Sequence, residues 1–368
     1  MCRFYLITTL ILLFSLLFSF GTQAQDISAK GAVLIETQSM SVAYEKNANQ
    51  RMPMASTTKI MSALVTLENS CLDDYVLITK EMTGIEGSSI YLQENEKLTV
   101  SDLLYALMLE SANDAAVALA IHVGGSIEGF VKLMNDKARE LGLKDTNFTN
   151  PHGLDDNEHY TTPYELGVIT SNAMKNQVFK TLVSTTKKAI PNSNSNGTRI
   201  LINHNKLLRS YDGAIGVKTG FTKRCGRCLV SCAEKDGVSL VAVTLNAPND
   251  WNDHKLMLDY GFSQFKNIEL ANASDYQIVL NAINGTKSHF IAENTEDLNI
   301  TLRKNNINIS AVLEANRLLP APVKKGQMVG KIVFYNNGEE ITSLPLYATE
   351  SISNINYKKS FFERILKQ

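Results

Sequence analysis

Residues Met52–Met61, MPMASTTKIM, decide how the first 265 residues are read. Met-Pro-Met-Ala is a loop-like approach to Ser56. From Thr57 onward Ile60, Met61, Ala63, Leu64 and Leu67 recur at helical spacing, so a buried helix is predicted to start at or just after Ser56. Lys59 follows one turn on, where side chains three apart share a face. A hydroxyl at a helix N-terminus with an amine beside it has the parts of an activated nucleophile. The helix end favours nearby negative charge, and a neutral amine can take the hydroxyl proton.

The S-x-x-K spacing is unspecific on its own, because it recurs at Ser184–Lys187 and Ser263–Lys266. Any one copy reads first as a helix cap followed by a solvated lysine. Ser184 runs toward Pro191 and an Asn/Ser stretch that stop a helix, and Ser263 follows Gly261 at what reads as a domain end. Only Ser56 opens a long apolar helix.

The length of 368 residues suggests two or three domains, and 44% hydrophobic residues supply a real core. Lys and Arg number 36 against 37 Asp and Glu, so no net field points to nucleic acid as a partner. Arg3, the apolar run Leu6–Phe20 and the small-residue site Thr22-Gln23-Ala24 form the pattern of a cleaved secretory signal over residues 1–24. The run is short for a bilayer span. Cys2 would leave with it, so Cys71, Cys225, Cys228 and Cys232 remain. Cys225-x-x-Cys228 has no second such pair and no histidine pair to complete a metal site, so small buried or turn residues are expected and no metal.

Further along, Lys30–Tyr44 suggests two strands around a turn, and Glu81–Leu92 a glycine-serine loop. Ser101–Leu109, with Ser101 as cap, and Asn113–Val123 read as helices. The tight break between them holds Ser111-x-Asn113, the only S-x-N in the chain, where a rigid loop can present side chains to a cleft. Taken alone it could equally be an N-cap. Thr161–Met174 is another helix, capped by Thr161 or Thr162, and His152 in the preceding turn reads as structural. Ala214–Thr222 (AIGVKTGFT) alternates like a strand, with Gly220 permitting close backbone approach, and two apolar strands after it make a meander with Lys218 near the edge. Residues 266–350 change texture to short alternating strands and Asn-rich turns, an all-β region without a reactive constellation. Residues 354–368 are amphipathic, with Tyr357, Phe361, Phe362, Ile365 and Leu366 on one side and charges on the other.

Ser56-x-x-Lys59, Ser111-x-Asn113 and Lys218-Thr219-Gly220, in that order, resemble the motif set of the penicillin-recognising serine enzymes. EGSSIYL, SANDAA, NPHGL, GVKTGFT and the closing LDYGF are similar to the serine D-alanyl-D-alanine carboxypeptidases (peptidase family S11), the low-molecular-mass penicillin-binding proteins, over roughly residues 27–350. The resemblance implies an α/β (α+β) penicillin-binding or β-lactamase-like fold, with an antiparallel sheet flanked by helices over 27–265. It also implies a small C-terminal all-β domain over 266–350 and a membrane-associating tail over 354–368. The substrates implied are peptidoglycan stem peptides ending in D-Ala-D-Ala, with β-lactams as inhibitors and no cofactor. The expected place of work is the outer face of the cytoplasmic membrane or the cell wall space.

The residue roles implied are Ser56 as nucleophile, Lys59 as base and Ser111 as proton relay. Asn113 would hold the substrate amide, Lys218, Thr219 and Thr222 the terminal carboxylate, and the N–H groups of Ser56 and Phe221, after Gly220, the oxyanion. Two alternatives stay open. A serine β-lactamase shares the motifs, with Glu165 the nearest candidate for activating a deacylating water, and a non-catalytic cell-wall-binding scaffold would keep a relic site.

Overall fold

The computed structural model describes residues 27–192, 197–305 and 307–355. The expected signal at 1–24, and the expected tail from residue 356 onward, lie outside the described residues.

Strand Gly31–Glu36 is buried along its whole length because it is inside a sheet covered on both faces. It pairs antiparallel with Val42–Lys46 on one side and Val238–Leu245 on the other. Gly226–Lys235 follows, and Ala214–Thr222 forms the edge of this five-stranded antiparallel sheet. The period-two alternation sends Ala32 and Leu34 to one face, where Met257 and Leu258 of the closing helix Asp250–Gln264 cover them. Val33 and Ile35 face the other way, into the main core with the helical layer. At the centre of that layer is Asn113–Gly124, with Asn113 through Ala120 all buried and four alanines that let neighbouring elements come close.

One local expectation is corrected, and one left open between two residues is decided. The helix placed at Ser101–Leu109 is Val100–Tyr105, and its cap is Thr99: Asp102 N donates to Thr99 Oγ1 at 3.0 Å while Thr99 N donates to Asp102 Oδ2 at 3.2 Å. That reciprocal box satisfies two helix-end donors at once, which Ser101 could not do. The chain then continues as a π turn over Ala106–Glu110. Thr162, not Thr161, caps the helix Pro163–Ala173, accepting from Glu165 N at 3.1 Å.

Beyond the closing helix the chain is all β. Phe265–Ala271 pairs with Leu298–Arg303, and six further strands form one sheet. In that sheet Gln277–Ile283 lies between His289–Glu293, antiparallel, and the short Leu318–Pro320, parallel. Its core is Leu280, Phe290, Ala292, Phe334 and Leu346. Gln38, in the turn after the first strand, ties the two regions: its Nε2 donates to Asn299 O at 2.9 Å and its Oε1 accepts from Thr301 N at 2.8 Å.

Candidate active site

Ser56 sits in a 3₁₀ turn, Ala55–Thr58, and Lys59 is the first residue of the helix Lys59–Asn69. The turn is held from below. Ala55 has φ +48°, and its carbonyl accepts from Thr58 Oγ1 at 2.8 Å. Thr58 Oγ1 lies 2.7 Å from His159 Nε2, and Thr149 N donates to His159 Nδ1 at 3.0 Å. Nδ1 is therefore the unprotonated nitrogen, and Nε2–H donates to Thr58. Burial pushes His159 down to about 4, which keeps the ring neutral. Gly153 has φ +91°, and a Cβ there would lie 2.0 Å from Ala55 O, so only glycine lets this loop close under the turn.

Lys59 is fully buried, and its Nζ has three neighbours: Ser56 Oγ at 3.1 Å, Asn113 Oδ1 at 2.7 Å and His152 O at 2.6 Å. Asn113 Oδ1 and the His152 carbonyl can only accept, and a hydroxyl can donate. An ammonium could donate to all three; the neutral amine keeps two N–H groups for the carbonyls and turns its lone pair to the Ser56 proton. Burial drives Lys59 well below the ordinary lysine value, and the charge of Lys218 adds to the effect. His152 acts here through its backbone, while burial lowers its ring to about 3.

The π turn adds a residue to the helix end and delivers Ser111 in the left-handed region, φ +61°. Two residues on, the Asn113 carboxamide is engaged at both ends, accepting from Lys59 and donating through Nδ2 to Glu86 O at 2.5 Å. The amide expected to hold substrate thus positions the lysine and the EGSSIYL loop. Asp114 secures the same loop, accepting from Ser89 Oγ at 2.6 Å and Leu92 N at 3.0 Å.

The opposite wall is the sheet edge. Lys218 is buried, donates to Thr219 O at 3.0 Å, and is lowered by burial to about 7. A Cβ on Gly220 would lie 3.1 Å from Ser56 N and 3.2 Å from Thr57 N, so the missing side chain is what seats the strand against the nucleophile turn. Thr222 is not among the residues that line the cleft, and its hydroxyl donates to Asp155 Oδ1 at 2.9 Å and accepts from Cys225 N at 3.0 Å. The hydroxyl expected at the carboxylate is thus engaged by Asp155 and the Cys225 N–H.

Between the walls lies an open cleft of about 290 Å³, lined by Ser56, Ser111, Thr219, Gly220 and Phe221. It also exposes residues that sequence reasoning missed. Arg227 sits opposite Phe221 in the sheet register, and its Nε is 3.1 Å from the buried carboxylate of Asp250. Trp251 and Ser88 line the cleft too, as does Glu110, whose carboxylate lies 3.0 Å from His204 Nε2. Cys228 reaches it from the neighbouring strand, and the four described cysteines are unbridged. No group of three or more potential metal ligands occurs among the described residues.

The other S-x-x-K serines are at helix C-termini. Ser184 ends Gln177–Ser184 and donates to Thr181 O at 3.2 Å; Ser263 donates to Tyr260 O at 2.6 Å near the end of its helix. A carbonyl-rich end disfavours a developing anion. Glu165 is likewise engaged, accepting from Lys144 N at 2.8 Å, Asp145 N at 3.0 Å and Thr146 Oγ1 at 2.5 Å.

Comparison with known proteins adds a separate line. Residues 19–249 match the family model for D-alanyl-D-alanine carboxypeptidase, and residues 265–354 match that for penicillin-binding protein 5, C-terminal domain. D-alanyl-D-alanine carboxypeptidase DacF of Bacillus subtilis is 33% identical over 352 residues, covering 92% of this chain and 88% of the relative. A D-alanyl-D-alanine carboxypeptidase of a Streptomyces species is 37% identical over 256 residues, 64% of this chain and 88% of the relative. Penicillin-binding protein 5 of Haemophilus influenzae shares the fold with a TM-score of 0.69 at 28% identity, over 91% of this chain and 100% of that one. PBP3 of Streptococcus pneumoniae, described as a peptidoglycan synthesis regulatory factor, gives 0.74 at 26% identity, over 89% and 100%.

Proposed function

This chain belongs to the D-alanyl-D-alanine carboxypeptidase family and is a serine-type hydrolase of that kind, and on that premise we propose how its own residues carry the reaction. Ser56 Oγ attacks the carbonyl between the two terminal D-alanines of a peptidoglycan stem peptide. Its proton passes to neutral Lys59 Nζ, 3.1 Å away, and that contact with a fully buried amine is the observation that carries the reading. The oxyanion is met by the N–H groups of Ser56 and Phe221, a reading supported by the close seating of Gly220, next to Phe221, against the Ser56 turn. Ser111 gives its proton to the departing D-alanine nitrogen and takes back the one held on Lys59, and the C–N bond breaks to leave an acyl-enzyme on Ser56 with Lys59 neutral again. Water then attacks the ester and returns the serine.

The terminal carboxylate needs a cation. Lys218 is charged for only part of the neutral range, with its amine at about 7. Arg227, a guanidinium held by Asp250 at the cleft, completes the carboxylate site with Thr219. A β-lactam presents the same carboxylate beside a strained amide, and should acylate Ser56 and leave slowly.

The β-lactamase reading loses its candidate base, because Glu165 is held by the 144–146 turn. Export through the 1–24 segment, action at the outer face of the cytoplasmic membrane, and peripheral membrane contact through the 354–368 tail complete the reading, on sequence pattern alone. The test is fluorescent penicillin labelling with peptide mapping, together with D-alanine release from a pentapeptide. One adduct on Ser56 and steady D-alanine release are expected. An adduct on Ser184 or Ser263 rejects the mechanism, and labelling without release marks a relic scaffold.

A further inference from the structure

The outer face of the C-terminal sheet exposes several large apolar side chains among polar ones. Alternation along Gln277–Ile283 buries Leu280 and Ala282 and turns Val279 and Ile283 outward, 65% and 44% exposed. Val279 pairs directly with Ile291, 43% exposed, on the adjacent strand. On the other side Leu318, 61% exposed, pairs with Asn281. These four side chains lie on the outside of three neighbouring strands, around the exposed polar pair Asn281 and His289, and make a broken apolar stripe, while the opposite face of the same strands makes the core. Four large apolar side chains exposed on one sheet face suit a docked apolar segment.

The chain itself supplies one beside the stripe. Thr286 N donates to Ser353 O at 2.8 Å, and Ile355 N donates to Asn284 O at 2.8 Å, so the last described residue is fastened next to Ile283, at one end of the stripe. Thirteen residues follow, 356–368, with Tyr357, Phe361, Phe362, Ile365 and Leu366 at helical spacing. As a helix, Tyr357 to Leu366 spans roughly 14 Å at 1.5 Å per residue. Ile283 back to Val279 is about 13 Å of strand at 3.3 Å per residue. We propose that, away from a membrane, the apolar side of residues 357–366 docks on the Val279–Ile283–Ile291–Leu318 face. The tail then has two alternative partners, this face or a lipid surface, and only the undocked fraction is available to lipid. The docking rests on the face and the exit point, not on the catalytic reading.

Two measurements on the full chain test it. With Phe361 replaced by p-benzoylphenylalanine and no lipid present, irradiation should crosslink the monomer to peptides carrying Val279, Ile291 or Leu318. Absence of crosslinks, crosslinks elsewhere, or crosslinks only to a second copy overturns the proposal. The second measurement is binding of a Val279→Asp/Ile291→Asp variant to phosphatidylglycerol-containing vesicles. If the tail is nine-tenths docked, freeing it should raise vesicle affinity about tenfold. Unchanged affinity means the face never held the tail, and reduced affinity means the face itself meets the membrane; both overturn the proposal. D-alanine release should be unaffected and serves as the folding control. If neither variant nor parent binds vesicles, it is the membrane reading of the tail that fails, and the crosslink alone decides docking.

Discussion

The two walls of the cleft each bury a lysine, Lys59 on the helical side and Lys218 on the sheet side, at 0% and 2% exposure. Their neighbours differ. Lys59 touches a hydroxyl and two carbonyl oxygens from three separate segments, a set suited to a neutral amine handling a proton. Lys218 reaches the carbonyl of the next residue on its own strand and has Glu110 nearby to favour its charge. Equal burial therefore supports two chemistries, because the donor and acceptor pattern, not the depth, decides which protonation state is useful. The helical wall moves protons; the sheet wall supplies backbone and charge.

The sharpest test of that contrast is Lys59→Arg, since a guanidinium does not deprotonate in a protein. The rate of acylation by fluorescent penicillin should fall by about 10²–10⁴, with the circular dichroism spectrum unchanged. An active variant would remove Lys59 as base. Next in size is Arg227→Gln, which takes a permanent charge from the carboxylate site. Losing a hydrogen bond to a charged group is worth about 1.5–3 kcal/mol, so kcat/KM for the pentapeptide should drop by roughly 10–150-fold, mainly through KM. Lys218→Arg should cost about tenfold or less, because charge survives in altered geometry. If it is as dead as Lys59→Arg, the sheet wall also moves protons and the contrast collapses.

The pH profile sharpens the same division. Lys59 must be neutral, so kcat/KM should fall on the acid side as pH drops through its depressed pKa. Lys218 must be charged, so kcat/KM should fall on the basic side as pH rises through about 7. In Lys218→Arg the basic limb should vanish while the acid limb stays, because arginine does not titrate there. The smallest effects are expected away from both walls. Replacing Cys71 by Ser and Cys225, Cys228 and Cys232 by Ala should leave D-alanine release per folded enzyme within about twofold, although Cys228 touches the cleft. Loss of release from folded protein would give the C-x-x-C pair a part in the site.

Much of the helical wall was legible because its spacing is local. Ser56 and Lys59 share a face whatever the rest of the chain does, and Ser111 and Asn113 sit in a break that two apolar helices announce. The corrections came where local signals tie. Thr99 and Ser101 are equally good caps by type, and only the reciprocal bond with Asp102 separates them. Nothing in Ala106–Glu110 announces a π turn, because its residues are ordinary helix formers and the extra residue shows only in the hydrogen-bond pattern of the folded chain.

By itself, then, the amino-acid order determined the nucleophile's setting, the strand that carries Lys218 and the change to β structure after residue 265. These follow from hydrophobic period, caps and glycine placement, which act over a few residues. Only the tertiary structure decided that Asn113 serves Lys59, that Thr222 belongs to Asp155, and that Arg227 with Asp250 faces the cleft. Those pairings join positions 23 to 67 residues apart. Sheet register and helix packing set them, and a side chain's partner across such a gap depends on every element in between.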